Sequence, residues 1–156
     1  MFTKDAFTSF LKRHKIAFFV ALFVGVLYVA PNILFVVSLG ERYEGIPMME
    51  TPNEDFYLAR IQEILDGYPS VGSAAYWEYK NEPPISPPTG EFLYALPTLI
   101  FGISPSVTLV GSRFVLPALL FLLVYFLARR LTGDDGRAAL LTALSSALFV
   151  TLGYDL

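Results

Sequence analysis

Apolar and polar positions alternate along the chain in long blocks, and the blocks predict its layout. Ile16 to Gly40 runs 25 residues without a charge. At ~1.5 Å rise per residue that exceeds a hydrocarbon core of ~30 Å, so it predicts a tilted transmembrane helix over 16–40. Pro31-Asn32 is expected to kink its outer half. The run is too long for a signal peptide and lacks a small-residue cleavage site, so it reads as an uncleaved span. A second span is expected over 107–128, closed by Arg129-Arg130, and a third, shorter one over 138–152. Between the first two, FLYALPTLIFGI at 92–103 is apolar but too short to cross and holds Pro97; it predicts an interfacial or re-entrant helix.

The polar block at 41–91 has an apolar rhythm of its own. Leu58, Ile61 and Leu65 recur at helical spacing, with Tyr57 and Ile64 beside them and Arg60, Gln62 and Glu63 elsewhere around the helix. Thr51 as N-cap, Pro52 in the first position and Glu54 in the third form a T-x-x-E capping box. Asp66-Gly67 supplies the stop, giving an amphipathic helix over 52–66. The NEPPISPPTG run that follows holds four prolines and predicts an extended, stiff connection.

Charge gives the blocks a direction. The tail at 1–15 carries Lys4, Lys12, Arg13 and Lys15 against Asp5, whereas 41–91 holds ten acidic residues and three basic ones. Basic residues mark the cytoplasmic side. The tail and the turn at 129–137 are therefore expected inside, and the 41–91 loop and Asp155 outside. Phe2, Phe7, Phe10 and Leu11 would form one apolar face of a helix on the membrane surface, against the plainer and preferred reading of a cytoplasmic tail that holds orientation. The fold class is thus an all-α polytopic membrane protein with about three spans. The composition agrees: 54% of the 156 residues are hydrophobic and 16% charged. Three helices and one loop bury little, and the polypeptide is expected to be the amino-terminal piece of a larger protein, inactive alone.

Composition also narrows the chemistry. Without cysteine there is no thiolate nucleophile and no Cys metal site. The one histidine, His14, stands in the basic tail. No basic stripe suits a nucleic acid. A loop of about fifty residues between membrane segments is where function concentrates, and its acid pair, Glu54-Asp55, is the best candidate for chemistry. The competing reading makes Glu54 a cap and Asp55 an acid favoured by the helix dipole. Tyr68, Tyr76, Trp77 and Tyr79 suit headgroup anchoring and equally suit stacking on a sugar ring. Arg113, near the outer end of the second span, either snorkels or faces inward as a positive charge for an anionic ligand.

Taken in order, these segments resemble a known family. The residues are Asn53-Glu54-Asp55 with Tyr57-Leu58-Ala59-Arg60-Ile61, then Pro83-Pro84, then Phe92-Leu93-Tyr94-Ala95-Leu96 leading to Phe101-Gly102. Gly111-Ser112-Arg113 and Leu127 to Gly133 continue the pattern. It resembles the start of the glycosyltransferase C superfamily, which includes oligosaccharyltransferase catalytic subunits, protein O-mannosyltransferases and lipid A aminoarabinose transferases. The resemblance lies in order and spacing, over about 18–156. It implies an enzyme of the plasma (inner) membrane that uses a polyprenyl-phosphate-linked sugar on the extracytoplasmic face. A first-loop carboxylate, Glu54 or Asp55, would act on the acceptor as general base or through a divalent cation such as Mg or Mn. Tyr57, Arg60, Lys80 and Arg113 would contact substrate, the cations stabilising the phosphate leaving group. Many members carry Asp-Glu where this chain has Glu-Asp, so both acids stand. Tyr154-Asp155 falls where a second acidic motif often begins.

Two other classes fit the same spans. A transporter or flippase predicts more charge within the spans than these hold. A non-catalytic anchor predicts that Glu54→Ala and Asp55→Ala leave function intact.

Overall fold

A computed structural model describes residues 4–73, 76–79, 82–83, 87–133 and 136–153, apart from the side chains of Lys4, Asp5 and Trp77. Among them the chain is all-helical, with no strand. In chain order the helices are α1 (Lys4–Arg13), α2 (Lys15–Leu39), α3 (Glu54–Leu65), α4 (Thr89–Phe101), α5 (Pro105–Thr132) and α6 (Arg137–Leu152). Two are long and apolar enough to cross a membrane: Lys15–Arg42, which adds a 3-10 turn to α2, and Pro105–Thr132, each of 28 residues. α6 is apolar but has 16 residues.

Several boundaries differ from the sequence expectation, each for a local reason. The basic tail is helical over α1 and breaks only at His14, where the N–H of His14 reaches the Phe10 carbonyl and the N–H of Phe18 reaches that of His14. α2, α4 and α5 run unbroken through Pro31, Pro97 and Pro117. α5 continues past Arg129-Arg130 to Thr132, whose hydroxyl donates to the Ala128 and Arg129 carbonyls. Gly133, with φ of 61°, then ends it, so α5 takes up the first four residues of the expected 129–137 turn.

The chain forms two compact units, residues 1–30 with 113–156 and residues 31–112. The first is held together by small residues. Ala17, Ala21 and Val24 of α2 meet Ala118, Phe121 and Tyr125 of α5 and Ala143 and Ala147 of α6. Along α6, Ala139, Ala143, Ala147 and Thr151 are buried at four-residue spacing, one stripe of a helix. Such stripes let helix backbones approach closely and gain dispersion contacts. The approach is close at Gly25, where a Cβ would lie 2.7 Å from the Phe114 carbonyl oxygen. Tyr28 ties α2 to α6 by donating to the Thr151 carbonyl. At the α1 end, His14 Nδ1 and the Tyr125 hydroxyl are hydrogen-bonded at 3.0 Å within an aromatic cluster of Phe10, Phe18 and Phe126.

In the second unit α3 packs on α4. Ile61, Ile64, Val71 and Ala95 are buried, with Leu58, Leu65 and Tyr94 packed around them. The expected glycine stop is realised as a Schellman motif. Gly67, at φ of 91°, donates to Ile64, and the next residue, Tyr68, reaches back to Glu63. The chain then turns through Val71, whose N–H bonds the Tyr68 carbonyl and whose side chain re-enters the core. Val71 has a φ of 47°, a conformation β-branched residues rarely adopt. Burial of its side chain offsets that strain.

Candidate functional site

The acid pair opens α3, but not by the predicted cap. The helix starts at Glu54, two residues later than expected, and Asn53 in the capping position makes no side-chain cap bond. Thr51 enters a turn instead, its carbonyl accepting from the N–H of Glu54, while the Asn53 carbonyl accepts from Tyr57. The Glu54 carboxylate takes the N–H of Glu50 on Oε2 at 2.9 Å rather than closing a box. Asp55 Oδ1 turns onto the N–H of Phe56 at 2.8 Å.

Glu50 carries this geometry back to α2. Its Oε1 accepts from Asn32 Nδ2 at 2.9 Å, and its own N–H holds Glu54. Asn32, in the apolar run, is only 2% exposed. A relay of two hydrogen bonds thus fixes the first acid of α3 relative to the C-terminal part of α2.

Arg60 and Glu63 depart from the amphipathic expectation, being buried rather than on the polar face. The cause is α4, which begins three residues earlier than predicted and places Glu91 in its first turn. Arg60 Nε lies 2.6 Å from Glu91 Oε1, with both side chains buried. The Arg60 guanidinium also stands 5.6 Å from the Phe56 ring centroid.

Above this pair lies a cavity of about 280 Å³ lined by Glu54, Tyr57, Ile61, Gly90, Glu91, Tyr94 and Leu109. Tyr57 is half-exposed at its edge. Tyr94 is held by donating to Ser112 Oγ at 3.1 Å, and Ser112 donates to the Leu109 carbonyl. The cavity is mostly apolar, with two carboxylates in its wall. Such a surface can take a ring by its faces and receive its hydroxyl protons.

Of the residues selected from sequence, Glu54 and Tyr57 meet at this cavity and Arg60 lies against it through Glu91. Asp55, though adjacent, is not in its lining. Arg113 is buried in the other unit. Lys80, Pro84 and Tyr154-Asp155 lie outside the described residues. Glu50, Glu91, Asn32 and Tyr94 were not selected as site residues. For Glu91 a signal existed, since it is the one charged residue of the apolar 89–101 segment.

Among the described residues no group of three acidic, histidine or cysteine side chains comes together to hold a metal. Glu54 and Asp55 supply two carboxylates, a number Mg²⁺ accepts where water and phosphate oxygens complete its octahedron. No family model, curated protein or solved structure matches the chain.

Proposed function

We propose that the chain is part of a membrane-embedded glycosyltransferase that moves a sugar from a polyprenyl-phosphate donor to a hydroxyl or amide acceptor. The supporting observation is the α3–α4 cavity, with Glu54 held in its wall by Glu50. In this reading the first-loop carboxylate accepts the acceptor proton as the acceptor attacks the anomeric carbon. The bond from that carbon to the phosphate oxygen breaks, and polyprenyl phosphate leaves. Glu54 carries this step, with Asp55 beside it as the alternative. The positive charge for the leaving phosphate is drawn from Arg60, Lys80 or Arg113, as the resemblance implies.

The same reading gives the chain three spans, α2, α5 and α6. Their exposed leucines and phenylalanines, such as Phe19, Leu123 and Phe149, face lipid. The basic tail and Arg129-Arg130 lie in the cytoplasm and the 41–91 loop lies outside. The membrane is the plasma (inner) membrane.

The test is sugar transfer from a radiolabelled polyprenyl-phosphate sugar by membranes that hold the full-length protein of which this chain is proposed to be a part. Transfer dependent on the Glu54-Asp55 pair is the expected result. Full transfer with both acids replaced by their amides would remove the proposal.

A further inference from the structure

We propose that Glu91 is the residue that holds the ligand in the α3–α4 cavity, its Oε2 receiving a hydroxyl proton from a pyranose ring stacked between Tyr57 and Tyr94. The inference deepens the glycosyltransferase reading and rests on it for the sugar class.

Glu91 is 7% exposed and lines the cavity. One of its oxygens, Oε1, receives Arg60 Nε. The other has no partner among the described residues. Oε2 is therefore left open to the cavity, where water or a ligand hydroxyl can donate to it, and a ligand that displaces the water without donating would leave it unsatisfied. Arg60 already offsets the charge of Glu91, so what Oε2 lacks is a proton donor rather than a second cation.

The cavity walls narrow the class further. Two carboxylates, Glu54 and Glu91, disfavour an anion. An aliphatic chain would leave Oε2 without a donor. A pyranose meets both demands, with apolar C–H faces for the Tyr57 and Tyr94 rings and a hydroxyl edge for the carboxylate. Tyr94 is pre-positioned for this by its bond to Ser112, and Gly90 brings backbone to the cavity wall with no Cβ.

The experiment is saturation-transfer NMR on the whole chain in lipid nanodiscs, with methyl glucoside, galactoside and mannoside as probes and cyclohexylammonium as comparator. At least one pyranoside is expected to bind. Glu91→Asp keeps a carboxylate but draws it back from the cavity by one methylene, and should weaken that binding about tenfold or more. Tyr57→Ala, at an exposed position with no part in the core, should weaken it too while helicity is unchanged. Absence of binding by all three pyranosides would overturn the inference. So would tighter binding of cyclohexylammonium, or Glu91→Asp binding within about twofold of wild type. Pyranoside binding that depends on Glu91 without any sugar transfer would keep this site and remove the transferase reading. Transfer unaffected by Glu91→Asp would do the reverse.

Discussion

Arg60 Nε and Glu91 Oε1 lie 2.6 Å apart, 31 residues apart in the chain, with side chains 4% and 8% exposed. This pair joins the two helices that enclose the cavity. A buried ion pair is expensive to break on one side, because the remaining charge is left uncompensated. Arg60→Met or Glu91→Leu alone should each destabilise the 31–112 unit by about 3–5 kcal/mol, whereas the double substitution should be close to neutral. Thermal unfolding followed by limited proteolysis of this unit measures all three, and additive single costs would contradict the pairing.

The Asn32–Glu50–Glu54 relay makes an asymmetric prediction. Asn32 Oδ1 is buried without a hydrogen-bond partner, so its amide already carries a cost. Glu50→Ala removes the partner of Nδ2 as well and should destabilise by about 1–3 kcal/mol. Asn32→Leu removes the buried amide altogether and should cost less than Glu50→Ala. Chemical denaturation of the two variants in detergent ranks them.

In the other unit, α5 lies against α2 at Gly25. Gly25→Ala places a methyl 2.7 Å from the Phe114 carbonyl oxygen and 2.8 Å from its ring. It should cost about 1–3 kcal/mol by overpacking. Leu22→Ala, at an exposed position of the same helix, should cost far less. Unfolding in a denaturing detergent series reports both.

How far the sequence showed all this depends on the range of the interaction. The two helices long and apolar enough to cross a membrane, the α3 helix and its Gly67 stop are local, set by apolar runs, period and glycine, and the sequence displayed them. The α6 stripe of Ala139, Ala143 and Ala147 was equally readable, although its partners were not. Arg60 was misplaced because amphipathic reasoning puts an arginine on the wet face of a helix. Its burial follows from a carboxylate 31 residues away, and no period links the two. One clue was present: Arg60 stands four residues before Ile64, on the same helical face. The capping box failed for a related reason. Thr51 and Glu54 have the right spacing, but Glu50, tied to Asn32, offers Glu54 a competing N–H.

The absence of cysteine allows single-cysteine mapping of the proposed topology. In intact cells Ser70→Cys should react with a membrane-impermeant maleimide. Thr132→Cys should react only after permeabilisation. Both positions are exposed in the fold. The opposite labelling pattern would place the candidate site on the cytoplasmic face and rule out an extracytoplasmic transferase.

The acid pair tests the central claim most directly. Transfer from a polyprenyl-phosphate sugar should be compared in membranes with equal amounts of wild type, Glu54→Gln and Asp55→Asn. Both amides keep the side-chain shape, and Gln can still accept the Glu50 N–H, so the α3 start is preserved while the base is lost. Loss of a general base typically lowers the rate about 10²–10⁴-fold. The account predicts a loss of that size for Glu54→Gln and a smaller one for Asp55→Asn, whose carboxylate lies outside the cavity lining. Wild-type rates for both variants would contradict it and leave the acids a structural role at the start of α3.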